Sequence, residues 1–312
     1  KGDSVEQRRA VERAIASGVR YFDTAPSYGD GRSEENLGLV LTEIGAPAAD
    51  LIVGTKFRLD AEEAGDASVA KRRIRESLEA SLRRLQRDRV HLLQLHNRIV
   101  LESNASGGLS AEDVLGPVLE GLHAVQAAGL TEHIGFTGTG DTAAVRRILE
   151  SAHYGSAQIF FNALNPSAGW AGHVSPGGHD FGGIIDVAAQ HNTGVIVIRP
   201  LAAGAVTASA DRHPNAGRPG GVAGEDYAQD LARAAAFQTL ASRLGLESSV
   251  ELALRFALTK TGVSTVLAGF SDISQVESAI RWAERGPLGP EAVQHVLSLR
   301  ADVPQQQASA SS

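Results

Sequence analysis

The chain has 312 residues, 43% hydrophobic and 21% charged, a length that one α/β barrel domain with a single large core accommodates. Its 29 Lys and Arg against 36 Asp and Glu leave a net charge of −7, which argues against nucleic acid or an anionic membrane surface as a partner and favours a small-molecule ligand. No apolar run is long enough to span a bilayer and no n-region/h-region pattern stands at the start; the absence of cysteine excludes disulfides, thiolate metal sites and a thiol nucleophile, and fits a cytoplasmic protein.

The predicted elements alternate in type along the chain. A helix over 4–17 leads into a strand over 19–22 that runs out at Asp23, and a Pro/Gly loop, TAPSYGDG, follows with Tyr28 in it. The next strand, 51–54, leads to Lys56. The helix over 68–87 repeats Ile74, Leu78, Leu82 and Leu85 at helical spacing with its arginines on the other faces, which reads as a solvated charged surface. A strand over 90–95 ends at His96 and is followed by a Gly/Ser-rich stretch, 97–111. Strands over 133–136, 157–161, 194–198 and 264–268 come next, with a second Gly/Ala/Pro-rich stretch over 201–228 and a helix from about Ile273. Residues 304–312, PQQQASASS, form a disordered tail, leaving 1–303 as one domain.

Short apolar strands alternating with helices imply a parallel sheet buried on both faces. The fold expected is a (β/α)8 TIM barrel. Seven strands are visible, and the first helix precedes the first of them, so strand one is expected upstream of Lys1.

Asp23, Lys56 and His96 stand where apolar strands run out, which in a parallel barrel gathers them around one mouth, and the loop can turn Tyr28 over the same opening. Reduction of a carbonyl needs a proton for the oxygen as hydride reaches the carbon, and a phenol is a reluctant donor unless its anion is stabilised. An ammonium at Lys56 stabilises tyrosinate, Asp23 holds that ammonium charged and in place, and His96 hydrogen-bonds the substrate oxygen. Other chemistries fit less well. The ten histidines show no H-E-x-x-H spacing or ligand cluster, so no metal is expected. A Schiff-base lysine at Lys56 leaves Asp23 and Tyr28 without a role. Gly138-x-Gly140-x-x-Ala143 matches a relaxed dinucleotide fingerprint, but the strand that should end in an acid ends in Asn162; these glycines make a tight turn or admit a ligand to the backbone.

DTAPSYGDGRSEENLG, TKF, LQLH, IGFTG, AQIFFN and PLAAG, in that order from about residue 4 to 284, resemble the aldo-keto reductase superfamily, with the loop pattern closest to bacterial short-loop members of the aldose or galactose dehydrogenase type. The resemblance implies Tyr28 as general acid/base, Lys56 and Asp23 as its tuning pair and His96 as the substrate-orienting group. It also implies a nicotinamide cofactor held by Thr137, Gln158, Arg199, Leu201, Gly269, Ser271, Asp272 and Gln275. Against the family pattern, Gly138 replaces an amide side chain beside Thr137, Ile198 replaces a tyrosine that stacks on nicotinamide, and Ser278 and Ala279 replace a Glu-Asn pair at adenine. Arg199 faces the pyrophosphate or pairs with a loop carboxylate. Ser271 and Asp272 stand where NADP-using members place a basic residue, and a carboxylate repels a 2′-phosphate, so NAD is favoured over NADP. The competing role is a nicotinamide-binding regulatory subunit or pseudoenzyme of the same fold.

Overall fold

The computed structural model describes residues 4–45, 50–174, 178–207, 227–270 and 272–299. The expected tail, most of the 201–228 stretch and Ser271 lie outside these residues.

Seven parallel strands form one curled sheet in chain order. They are β1 (Tyr21–Asp23), β2 (Ile52–Phe57), β3 (Val90–Leu95), β4 (Thr131–Gly138), β5 (Ser156–Phe160), β6 (Gly194–Ile198) and β7 (Val263–Val266). Simple sequential order follows from helical crossovers that each return the chain beside the strand just left. The long helix Ala67–Leu85 shows how sequence sets packing. Asp66 caps its first turn by accepting from the Ser68 and Val69 amides, and the predicted stripe of Ile74, Leu78, Leu82 and Leu85 is buried against the sheet and its neighbours. Among the described helices none is long and apolar enough to cross a membrane.

The barrel is open between β1 and β7. These strands are the two ends of the sheet, and an eighth strand between them is absent among the described residues. The helices beside them close the outer layer, since Ser4–Ala16 packs on Ile273–Glu284 and Arg13 Nε donates to Glu277 Oε1 at 3.0 Å.

Two strands run further than their apolar residues suggest. β2 continues through Thr55, Lys56 and Phe57, and β4 begins at Thr131 and reaches Gly138. In β2 the polar residues stay in the ladder because their side chains find partners, Lys56 in Asp23 across the barrel interior and Thr55 in Glu34 of the helix Arg32–Ile44. Lys56 therefore lies inside a strand rather than beyond its end.

The 97–111 stretch, expected as a loop, contains a short parallel ladder, Arg98–Val100 with Gly108–Ser110. Buried Asn97 anchors it: its Nδ2 donates to the carbonyls of Leu59 (2.7 Å) and Gly107 (2.9 Å), and its Oδ1 accepts from the Leu59 amide at 3.1 Å. The ladder is then bolted to the end of β4. Ile99 N donates to Thr139 O and Asp141 N donates to Ile99 O, both at 2.7 Å. Gly140 sits between these bonds at φ 120°, and a Cβ there would fall 1.9 Å from the Ile99 carbonyl oxygen. The glycine is required by the approach of the chain's own backbone, not by a dinucleotide, which disposes of the fingerprint reading.

Gly140→Ala is accordingly expected to destabilise the protein by about 2–4 kcal/mol through backbone strain and a steric clash. A urea midpoint equal to that of the parent chain would show that the ladder yields at little cost.

Candidate active site

Residues two apart on a strand share a face, so Tyr21 and Asp23 of β1 both point into the barrel. Register carries the same inward row across the sheet: Lys56 lies opposite Gln94, and Thr137 opposite Gln158. The Lys56 ammonium, on a fully buried side chain, forms a short salt bridge with Asp23 Oδ2 and donates to the Thr24 carbonyl at 2.8 Å. Asp23 Oδ1 accepts from Gln158 Nε2 (2.8 Å), Tyr21 Oη (3.0 Å) and Gln94 Nε2 (3.3 Å). Two charges out of water are tolerated when they are paired and further hydrogen-bonded, and this cluster pairs them, adds a backbone acceptor to the ammonium and three donors to the carboxylate.

Tyr28 is placed by the turn after β1. Its amide donates to Ala25 O at 3.0 Å, its carbonyl accepts from Ser33 N at 3.2 Å, and Gly31 N donates to Pro26 O at 2.8 Å. Gly29, Asp30 and Gly31 all have positive φ, so the chain reverses within three residues and enters the helix Arg32–Ile44. The phenol is left 40% exposed with its ring centroid 4.7 Å from Lys56 Nζ. The His96 ring meets it edge-on, at 5.9 Å between centroids and 84° between planes. All four predicted residues thus meet at the C-terminal ends of β1, β2 and β3.

Burial lowers the His96 pKa to about 3, helped by the positive charges of Lys56 and Arg58. The ring is neutral at physiological pH, so its role is that of a hydrogen-bonding group rather than a cation.

The remaining predicted residues line the later strand ends. Thr137 is buried, and its hydroxyl has no hydrogen-bond partner among the described residues. Gln158, expected to face the cofactor carboxamide, directs its amide nitrogen to Asp23. Arg199 is left-handed at φ 54° with its guanidinium 5.3 Å from the Phe160 ring centroid, and Ile198 beside it is half-buried at the end of β6. Leu201 accepts from the Gly204 amide at 2.8 Å, within a turn where Ala202, Ala203 and Gly204 also have positive φ. Gly269 is exposed after β7, and a helix starts at Ile273 as expected. Asp272 is its N-cap, accepting from Gln275 N at 3.0 Å and Ser274 Oγ at 2.6 Å. Arg281, on the same helix, donates to Glu247 Oε2 at 2.8 Å.

Sequence reading missed Tyr21 and Gln94. The signal was present, since each lies two residues before a predicted site residue on the same strand face: Tyr21 before Asp23, Gln94 before His96.

A parallel barrel with a partly exposed phenol, a buried ammonium and a neutral imidazole meeting at the strand C-terminal ends has the groups for proton transfer at one mouth. The Aldo/keto reductase family profile matches residues 2–301, and the chain belongs to that family. It is an NAD(P)-dependent oxidoreductase that interconverts carbonyl and alcohol groups. The chain is 27% identical to an L-galactose dehydrogenase of Arabidopsis thaliana over 86% of its own length and 75% of that protein's. Its fold matches the holo form of the aldo-keto reductase AKR11C1 from Bacillus halodurans, with TM-score 0.71, 24% identity and coverage of 98% of this chain and 91% of that one. A Klebsiella pneumoniae aldo-keto reductase solved in complex with NADPH matches at TM-score 0.67 and 18% identity, covering 97% of this chain and 87% of that one.

The lowered His96 pKa has a stability consequence. With a folded value of about 3 against an ordinary 6.5, the unfolded chain binds more protons between these values, so the His96 contribution is present above 6.5 and is lost as pH falls toward 3. Melting curves of the parent and of His96→Gln at pH 7.5 and at pH 5 should show a smaller acid-induced drop in the variant; equal drops would mean that the ring protonates readily in the folded state.

Proposed function

We propose that this chain passes hydride between a nicotinamide dinucleotide and a small polyhydroxylated carbonyl or alcohol of the aldose class, with Tyr28 as general acid/base. The observation that carries this reading is the Lys56 ammonium, locked by Asp23 and the Thr24 carbonyl, lying 4.7 Å from the Tyr28 ring. In that position it stabilises the phenolate left when Tyr28 gives its proton to the substrate oxygen. The bound nicotinamide supplies the hydride that reaches the carbonyl carbon. Neutral His96, edge-on to Tyr28, donates a hydrogen bond to the same oxygen and fixes the face presented to the cofactor. Partial exposure of Tyr28 lets the phenolate recover its proton from solvent. In the alcohol-oxidising direction the phenolate is the base.

The cofactor reading rests on polar groups gathered at the ends of the later strands. The buried Thr137 hydroxyl lacks a partner among the described residues and lies in register with Gln158, which suits a carboxamide. The guanidinium of Arg199, at the start of the left-handed turn, suits a pyrophosphate. Gly269, Ser271, Asp272 and Gln275 belong to the adenosine end in this reading. The preference for NAD finds no support in the comparisons, where the Klebsiella enzyme is described with NADPH. Its support is local: the Asp272 carboxylate already occupies the helix N-terminus, where it opposes a 2′-phosphate and accepts from a free 2′-hydroxyl.

An aldose-type substrate is supported by the similarity to L-galactose dehydrogenase and by exposed Arg58 and Arg98 in the segments that follow β2 and β3. The lack of cysteine supports a cytoplasmic setting. A purely regulatory role is not favoured, because the proton-handling groups are all present and adjacent.

Tyr28→Phe should lower turnover by roughly 10²–10⁴-fold, the usual worth of a general acid, with NADH and NADPH affinity unchanged. Near-normal turnover of aldoses by that variant would overturn the mechanism. Side-by-side fluorescence titration with the two reduced cofactors should give the tighter Kd with NADH; tighter NADPH binding would remove Asp272 from the 2′ site.

A further inference from the structure

We infer that Tyr21 is a positioning residue of the reaction, its buried hydroxyl holding the Asp23 carboxylate in the orientation that fixes Lys56 beneath Tyr28. The inference rests on the reading of Tyr28 as proton donor.

Three observations converge on it. Tyr21 Oη lies 3.0 Å from Asp23 Oδ1, the oxygen opposite to the one paired with Lys56, so the two ends of the carboxylate are gripped from different strands. A carboxylate held at one oxygen only can swing about its Cβ–Cγ bond, whereas one held at both cannot. Next, the phenol reaches Asp23 because β2 offers a gap. Gly54 lies directly opposite Asp23 in the ladder, and a Cβ there would come within 2.8 Å of the Tyr21 hydroxyl and 3.2 Å of its ring. Finally, the hydroxyl is a committed donor: burial and the neighbouring Asp23 charge push its ionisation far above the ordinary tyrosine range.

The titratable groups around it are Asp23 on its own strand, Lys56 on β2 and Tyr28 in the loop after β1, with His96 beyond Tyr28; Gln94 and Gln158 are neutral. Gln158 is the residue expected to turn toward the cofactor carboxamide, and when it does so Asp23 Oδ1 loses its shortest donor. Tyr21 and Gln94 then remain as the neutral donors on Oδ1, and of the two the Tyr21 hydroxyl is the closer, at 3.0 Å against 3.3 Å.

The experiment compares Tyr21→Phe, Gly54→Ala and Tyr28→Phe with the parent in both reaction directions, recording kcat, KM, pH profile, NADH Kd and melting temperature. Removing one hydrogen bond to a charged acceptor should lower kcat about tenfold in Tyr21→Phe, with KM and NADH Kd within about twofold of the parent. With Lys56 held less firmly, the pH at which alcohol oxidation reaches half its plateau should rise by roughly half a unit to one unit. Gly54→Ala keeps the hydroxyl but displaces it, and should move the profile in the same direction. An unchanged profile and kcat in Tyr21→Phe would overturn the inference, as would a loss of kcat accompanied by equal losses in melting temperature and NADH affinity with no shift in the profile. Tyr28→Phe separates the two levels: full activity in it defeats the acid/base reading itself, whereas its inactivity beside a parent-like Tyr21→Phe defeats only the role of Tyr21.

Discussion

The buried ion pair between Lys56 and Asp23 is the constraint around which the rest of the site is arranged. Withdrawing an ammonium and a carboxylate from water costs several kcal/mol per ion, and their mutual attraction offsets this only when the remaining hydrogen-bonding capacity is filled. In this barrel the filling comes from four residues: the Thr24 carbonyl on Lys56, and Tyr21, Gln94 and Gln158 on Asp23. The polar inward row of β1, β2, β3 and β5 is the structural consequence of that one pair, and it accounts for polar residues in strands that are otherwise apolar. The same pair leaves an ammonium pointing at a half-exposed phenol, so the solution to a burial problem is also a way of handling a proton.

Backbone packing around the mouth follows from closeness rather than from ligand chemistry. Gly54 makes room for the Tyr21 phenol, and Gly140 makes room for the Ile99 carbonyl that ties the 97–111 ladder to β4. Each glycine reads in the sequence as a loose signal, and each is fixed by an atom that arrives from a distant part of the chain. The mouth is therefore walled on the β3–β4 side by a bonded ladder. On the β6–β7 side it is bordered by the left-handed turn after Arg199 and by the capped helix beginning at Ile273.

Much of the fold was legible in the alternation of strands and helices, since periodicity reports directly on which faces a segment buries. Strands over 90–95 and 194–198 match the structure residue for residue, and the buried stripe of the helix Ala67–Leu85 is the one the spacing predicted. Strand ends were less legible. Lys56 looked like the residue after a strand because a lone strand has no reason to contain an ammonium; only the Asp23 carboxylate on the neighbouring strand gives it one.

By itself the sequence determined the parallel α/β architecture and the proximity of Asp23, Tyr28, Lys56 and His96, because strand-end position is a local property and parallel strands bring all their C-terminal ends to one face. What only the tertiary structure decided are relations across the barrel: the Gln158 amide on Asp23, the Tyr21 phenol crossing over Gly54, and the neutral state of His96 beside Lys56. Each depends on which residues from separate strands share the same few ångströms of low-dielectric interior, where hydrogen bonds and charges are strong. That distance is set by register and closure rather than by the order of residues along the chain.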